Sequence, residues 1–338
     1  MKISDIKLTP LIDTLMFEDI SDEVYFSKKY SNYISNSRLS LINPDQDGSP
    51  EKFFNGTFNN YSDSLIFGSA CHQLVLQPES FSLCNNVDRP TGKVGYIADY
   101  VYEMFTKGEG IRATILDAIK KFDYYNGKPT PSRFDELLEK CTKYCNDRYE
   151  YEKSNKLDKT PIYLDPRNRD KLLGCMTNLE KNTKIQSLLH PMLGEVGNEK
   201  TILLDFKVEV ENCDSFILKF KSKLDNYTIV GNELTVNDLK TTGKLVNAFD
   251  DAISNYRYYR EMAIYCYLLS LCAKKFFNIE ESQINSNFLV VSTIPEYYTK
   301  VVPMTKKLFM KGFAEFKNLM KLVAYYVATR YREFGVFQ

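Results

Sequence analysis

The chain of 338 residues reads as an α+β protein, a central sheet flanked by helices and interrupted by a helical insertion. Three observations predict this. From residue 199 to 242 apolar and polar residues alternate, the period of half-buried strands. From 96 to 190, from 247 to 276 and from 305 onward, apolar residues recur at i, i+3 and i+4, the period of helices. A hydrophobic content of 43% over 338 residues can bury a sizeable core. The whole chain, 1–338, reads as one domain: an N-terminal arm at 1–64, a helix region bearing His72 at 65–95, a helical insertion at 96–190, and the principal sheet with its flanking helices at 191–338.

Composition narrows the class further. No apolar run approaches the ~18 to 20 residues of a membrane helix, and the opening MKISDIKLTP lacks the basic-then-apolar order of a leader. The expectation is a soluble, cytoplasmic protein with no membrane partner. The 8 cysteines are scattered through a long chain, which suits free thiols in a reducing compartment. Lys+Arg and Asp+Glu both total 44, so net charge neither supports nor excludes nucleic acid, because a local basic groove can be cancelled by acidic surface elsewhere. The absence of Trp beside 24 Tyr and 22 Phe reads as coding bias.

Taken in order, residues 19–54 form an arm and a clip outside the core. Ser35 or Ser37 caps a short helix carrying Leu39 and Ile42, which stops in the turn-rich segment 43–50. Capping is the first reading of these serines, and phosphate contact by Ser37 is the alternative. Residues 65–81, LIFGSACHQLVLQPESF, give a helix from about 68 to 76 ended by Pro78. His72 on that helix is either a packed core residue or a ligand, and Gly68 one turn earlier would leave open space beside the imidazole. His190 precedes Pro191 in a loop and has no role. In the helical insertion Cys141 and Cys145 lie one turn apart; with no second pair nearby they read as core thiols.

The sheet begins at residue 199. In TILLDFKVEV, Ile202, Leu204, Phe206, Val208 and Val210 alternate with polar partners. FILKFKSKLDNYTIV and ELTVNDLKTT extend this to an antiparallel meander, its last two strands joined at Gly231 and Asn232. The hairpin at 223–240 delivers Asp225, Asp238 and Lys240 to one region. Leu234, Val236, Asp238 and Lys240 share a face, and an apolar row that gives way to an acid and a base suggests a site at the sheet's edge. A structural salt bridge is the alternative.

A single long helix is expected from about 247 to 276, with Tyr256, Tyr259, Ala263, Cys266 and Ala273 as its core stripe and Glu261 and Tyr265 off it. NFLVVSTI and YYTKVVPM read as two more strands hinged near Pro295. A final helix from Thr305 buries Phe309, Phe313, Phe316, Met320, Val323 and Val327. Its other face carries Lys306, Lys311, Lys317, Lys321 and Arg330, a solvated face or a contact to a DNA backbone.

The order of these pieces resembles the PD-(D/E)XK nuclease superfamily and, within it, the RecE-like, exonuclease VIII-type phage exonucleases. Ile34-Ser35-Asn36-Ser37-Arg38-Leu39 with Pro50 and Phe53 is similar to that family's IS-x-S-x-L … P-x-x-F opening. Phe67-Gly68-Ser69-Ala70-Cys71-His72-Gln73-Leu74-Val75-Leu76 with Pro78 and Phe81 resembles its FG-x-A-x-H-x-L-V-L-x-P-x-x-F helix, the most specific match. Glu199 resembles the Glu that opens the family's core sheet. Lys223-Leu224-Asp225 and Asp238-Leu239-Lys240-Thr241-Thr242 resemble its bipartite acid and D-x-K motif. The matches span about residues 20 to 270, with an unmatched helical middle.

The resemblance implies a restriction-endonuclease-like central mixed sheet. It implies that His72, Asp225, Asp238 and the Leu239 carbonyl hold Mg2+ or Mn2+, ions that accept this donor set. Lys240 would orient or deprotonate the attacking water, with Asp225 and Asp238 also counted as catalytic. The family's Q-x-x-x-Y motif has Tyr265 here but Glu261 in the Gln position, where a carboxylate would repel phosphate. Glu261, Tyr265, Thr241 and Ser37 are therefore candidate substrate contacts only. The implied activity is a metal-dependent DNA exonuclease acting on duplex ends in phage-type recombination or replication, in the cytoplasm of a bacterial host. A single-strand annealing protein and further copies of the chain are candidate partners. A non-cutting DNA-binding or structural descendant and an endonuclease are the alternatives.

Overall fold

The computed structural model describes residues 2–56, 62–155, 158–211, 213–280 and 283–331; the Arg330 side chain, counted above on the basic helix face, lies outside the described residues. In chain order the elements are β1 (Lys7–Glu18), α1 (Asp22–Tyr25), α2 (Asn36–Ser40), α3 (Pro50–Asn55), α4 (Asp63–Leu76), β2 (Phe81–Leu83) and α5 (Gly92–Thr106). Then come α6 (Ile111–Lys121), α7 (Pro131–Ser154), β3 (Thr160–Ile162), α8 (Pro166–Lys181), α9 (Thr183–Leu189), β4 (Glu195–Glu209), β5 (Phe216–Val230) and β6 (Glu233–Thr242). The chain ends with α10 (Phe249–Asn255), α11 (Tyr258–Phe277), β7 (Gln283–Ser292), β8 (Thr299–Pro303) and α12 (Lys306–Tyr326). Among the described residues no helix is long and apolar enough to cross a membrane.

The chain divides into two compact units, one of Met1–Phe58, Asn178–Ile294 and Tyr298–Gln338, the other of Asn59–Thr177 with Pro295–Tyr297. The first unit is mixed α+β. Its six-stranded sheet has the order β1-β4-β5-β6-β7-β8 and is antiparallel except for the parallel β6–β7 pair. A parallel pair needs a crossover, and α10 with α11 supplies it. The β5–β6 hairpin forms at the expected place because Gly231, at φ +59, takes the left-handed conformation that a side chain resists. Val230 then pairs with Glu233 across a two-residue turn.

The core of this unit joins Ile202, Leu204, Phe206 and Val208 of β4 to Met262 and Leu268 of α11 and Phe316, Met320 and Val323 of α12. Thr305 caps α12 by accepting the Leu308 N–H. Helices α11 and α12 approach closely at Gly312, where an added Cβ would meet the Tyr259 carbonyl oxygen at 2.3 Å.

Several elements differ from the sequence reading. The arm belongs to the core: Ile34 and Leu39 are fully buried and Ile42 and Phe53 nearly so. Short helices bury little by themselves, but Ile34 also bridges to β5, donating its N–H to Lys219 O at 2.8 Å and accepting from Lys221 N at 2.8 Å. The wholly buried Arg260 fastens the same segment, donating to Asn36 Oδ1 at 2.8 Å, Ser40 Oγ at 2.7 Å and Glu315 Oε1 at 2.9 Å. The helix expected over 247–276 is two helices, broken where Arg257 takes φ +58. Tyr256, expected in the core stripe, precedes that break and is 66% exposed. Strand β1 was not anticipated, and β6, expected at an edge, is an interior strand between β5 and β7.

The second unit is mainly helical. Helices α5, α6 and α7 pack through Ile97, Val101, Ile115, Ile119 and Leu137, with Cys141 and Cys145 between them. Burial pushes both thiols up to about 12, which suits packing residues and not ligands. Arg148 of α7 lies 4.0 Å from the Tyr102 ring and 4.3 Å from the Tyr163 ring, and donates to Glu152 at 2.8 Å. Helix α4, capped by Ser62 and carrying His72, belongs to this unit and begins a turn earlier than its apolar pattern suggests.

Candidate active site

In the sheet unit β5 and β6 diverge at their acidic residues. Their ladder runs from Val230 and Glu233 to Asn226 and Asn237 and ends there. The next residue on each strand is Asp225 and Asp238. The Leu239 N–H donates to Asp225 Oδ2 at 2.9 Å, so a carboxylate holds the strands together where the ladder stops. β6 continues beyond this point against β7, pairing Asp238 with Phe288 and Lys240 with Val290.

One step before Asp238, side-chain amides cross the sheet in a chain. Asn226 donates to Asn198 at 2.7 Å, Asn237 to Asn226 at 2.8 Å, and Asn287 to Asn237 at 3.1 Å. Asn226 and Asn237 are buried, so the amides satisfy one another in place of water. Since a slip of one residue would break every link and turn the acids to the opposite face, the chain fixes the register that places Asp225 and Asp238.

Lys240 joins the acids to helix α11. Its Nζ donates to Asp238 Oδ1 at 2.9 Å and to Glu261 Oε2 at 3.1 Å, and lies 4.9 Å from the centre of the Tyr258 ring. Glu261 also accepts from the Tyr265 hydroxyl at 3.2 Å. Glu261 is thus a carboxylate that holds the lysine. The opposite wall is Glu199 of β4. It adopts φ +52 and interrupts the β4–β5 ladder between Asn198–Asn226 and Lys200–Leu224. An acidic side chain in a left-handed conformation within a strand is strained, and such strain concentrates at functional sites. Glu199 and Asp225 offer carboxylate oxygens within 4.8 Å of each other.

The charges are crowded. Burial, with the Asp225 charge, pushes Glu199 up to about 8. Burial pushes Asp225 up to about 6 against the pull of Lys240 and the Leu239 N–H. Asp238 is raised well above the usual carboxylate range by burial, with Lys240 opposing and Asp225 adding to the shift. For Glu261 burial acts upward too, but the Lys240 ammonium outweighs it and holds the acid below its usual range. Lys240 is disfavoured by burial, yet Asp238, Glu261 and Asp225 keep its proton well above the lysine range.

Asp238, Glu261 and Asp225 surround the Lys240 ammonium, and Glu199 beside Asp225 is offset in part by Lys223, so acids outnumber bases, which is costly in a buried site. Asp238 is buried, and Lys240 Nζ lies 2.9 Å from each of its carboxylate oxygens, with the hydrogen bond directed at Oδ1 and none well aligned with Oδ2. Closely spaced, buried carboxylate oxygens are the donor set a hard divalent cation takes, so the residues present fit Mg2+ or Mn2+.

The sheet unit therefore brings together Asp225, Asp238, Leu239, Lys240, Glu261 and Tyr265. Thr241 lies one residue farther along β6, and Ser37 is exposed in α2. His72 is half-buried in α4 of the helical unit. Glu199 was read from the sequence only as the opening of the sheet, and Tyr258 was not singled out. The signal for Glu199 was the isolated acid heading an alternating strand.

No family model matches the chain, and no curated protein matches it. Among solved structures the chain is similar to one from Eubacterium rectale named "Putative exonuclease", at 11% sequence identity and a TM-score of 0.39, over 92% of this chain and 86% of that chain.

Proposed function

We propose that this protein is a divalent-cation-dependent nuclease of the PD-(D/E)XK type that hydrolyses DNA phosphodiester bonds, an exonuclease resecting duplex ends in phage-type recombination or replication. The observation that carries the reading is the meeting of the buried Asp225 and Asp238 with Lys240 where β5 and β6 separate. Asp225 and Asp238 would hold Mg2+ or Mn2+, and the sequence resemblance adds the Leu239 carbonyl and His72. Such an ion supplies a water of lowered pKa and offsets phosphate charge.

The chain's own groups do the rest. Lys240 stays charged between Asp238 and Glu261, and its remaining N–H can orient the attacking water or steady a phosphate oxygen. Glu261 fixes the lysine and is itself fixed by Tyr265. The carboxylate at the Gln position is thus directed at Lys240, which lessens the repulsion it would exert on a phosphate. Thr241 and Ser37 are proposed to contact DNA beyond the cluster. A single-strand annealing protein and further copies of the chain are the proposed partners.

The test is cleavage of end-labelled linear duplex in Mg2+, with covalently closed circular duplex as the second substrate. Asp238→Ala and Lys240→Ala should abolish cleavage of the linear DNA without unfolding the protein, and the circle should remain intact. If both variants cut as well as the parent, the reading is wrong. Cutting of the circle would make it an endonuclease.

A further inference from the structure

Next to the carboxylate cluster the sheet unit carries a strip in which lysines alternate with aromatic rings. Lys219, Lys221, Lys223 and Asp225 alternate along β5 and so lie on one face, with successive side chains about 6.6 Å apart. The segment after β1 lies over the middle of this row. Lys221 donates to Tyr25 O at 2.7 Å, while Lys223 donates to Ile20 O at 3.0 Å and Asp22 at 2.6 Å. Tyr25 is buried, and its hydroxyl feels the charges of Glu261 and Glu199, which puts it beside the acids.

The next residue, Phe26, is 76% exposed, its ring held edge-on against Tyr25 at 5.0 Å and lying 5.8 Å from Lys221 Nζ. Beyond it stand the exposed Lys28 and Lys29, the latter 5.0 Å from the Tyr30 ring, and the exposed Lys219 lies 5.7 Å from the Tyr33 ring. Asp22 is taken by Lys223, Asp205 lies across the sheet from Lys219, and Glu23 is exposed one turn before Phe26; against these three acids the strip sets five lysines, Lys28, Lys29, Lys219, Lys221 and Lys223, a net positive charge. A presented aromatic ring among exposed lysines is chemistry suited to a single nucleic-acid strand, with bases stacking on rings and phosphates on lysines.

We propose that Phe26, Lys28, Lys29 and Lys219 form a subsite for one single strand of DNA adjoining the carboxylate cluster, the Phe26 ring stacking on a base and the lysines taking the phosphates on either side. This rests on the nuclease reading for its purpose but is tested by binding alone. The chain contains no tryptophan, so Phe26→Trp installs a sole indole at the point of contact.

The experiment uses the full chain in EDTA, where metal-dependent cleavage cannot occur, and a fluorescein-labelled dT20. Phe26→Ala should weaken binding by about tenfold or more, Phe26→Trp should restore it, and titration with unlabelled dT20 should quench the indole. Lys28→Ala with Lys29→Ala should leave thermal stability unchanged and lower the slope of log K against log salt by about 1.4. The proposal is overturned if Phe26→Ala binds dT20 as the parent does, if the indole emission does not respond, or if the parent does not bind dT20. A parent that binds but never cuts in Mg2+ or Mn2+ defeats the nuclease reading and leaves the subsite standing. A parent that cuts while Phe26→Ala binds normally does the reverse.

Discussion

Asn237 donates its side-chain amide to Asn226 at 2.8 Å directly across the β5–β6 ladder, one residue from Asp238 and Asp225 on their respective strands. Removing one buried amide leaves its neighbours without partners, so Asn237→Leu should destabilise the protein by about 1–3 kcal/mol. Asn226→Leu with Asn237→Leu should cost less than the sum of the single changes, because the pair fails together. Urea denaturation of the three variants measures this, and additive costs would mean that the amides act independently.

Asp238 sits where function and stability oppose each other. Its buried charge is surrounded by other acids, so Asp238→Asn should make the metal-free protein more stable while lowering cleavage about a hundredfold or more. Saturating Mn2+ should stabilise the parent, by about 2.7 kcal/mol at a hundredfold excess over Kd, and the variant much less. Thermal unfolding with and without Mn2+ gives both signs in one experiment. A variant less stable than the parent without metal contradicts the crowding argument.

Lys221 gives a dependence on alkaline pH. Burial, with the Arg38 charge added, lowers its pKa from 10.5 to about 8 in the folded protein. The unfolded chain therefore binds more protons between about pH 8 and 10.5, and this residue's contribution to stability rises with pH across that window. Below it the full cost of burying the ammonium is present. The benefit of Lys221→Met should thus be greater at pH 7 than at pH 10, by about 2 kcal/mol. Denaturant midpoints at the two pH values check it; equal differences would show that no such charge is buried.

Cysteine reactivity separates one thiol from the others. Cys213 is partly exposed, whereas Cys71, Cys84, Cys141, Cys145, Cys175, Cys266 and Cys272 are buried. Burial also raises Cys71, Cys141, Cys145, Cys175, Cys266 and Cys272 above the ordinary thiol range, which suppresses the reactive thiolate. A chromogenic disulfide should label Cys213 quickly and the rest at the rate of unfolding. Cys213→Ser should remove the fast phase.

The hairpin that presents Asp225 and Asp238 was legible because three local signals agreed: alternation on both strands, a glycine at the turn, and an acid ending an apolar row. The C-terminal helix was legible for the same kind of reason, a serviceable cap at Thr305 followed by regular apolar spacing. Strand β1 was not, since it is a half-exposed edge strand carrying Pro10 and its apolar residues do not keep to one parity. The break at Arg257 left no trace in the sequence, because a left-handed arginine is imposed by its surroundings. Long-range contacts hid the rest. The burial of Ile34 and Leu39 depends on β5 and α11, and the place of Glu199 beside Asp225 depends on a backbone conformation that only the assembled strands impose.

The pairing of β1 with β4 sets a timetable for making this protein. Lys7 lies opposite Glu209, so the N-terminal strand leaves the ribosome on the order of 200 residues before its partner, a wait of roughly 10–40 s at ordinary rates of synthesis. Residues 59–177 are complete much earlier and contain most of a compact unit of local helical contacts, the kind that forms quickly. The helical unit can therefore mature while the first strand and the arm are still unpartnered. Asp225, Asp238 and Lys240 come together only after the late arrival of β4, β5 and β6, so the nascent chain carries no assembled cluster until most of its length has been translated.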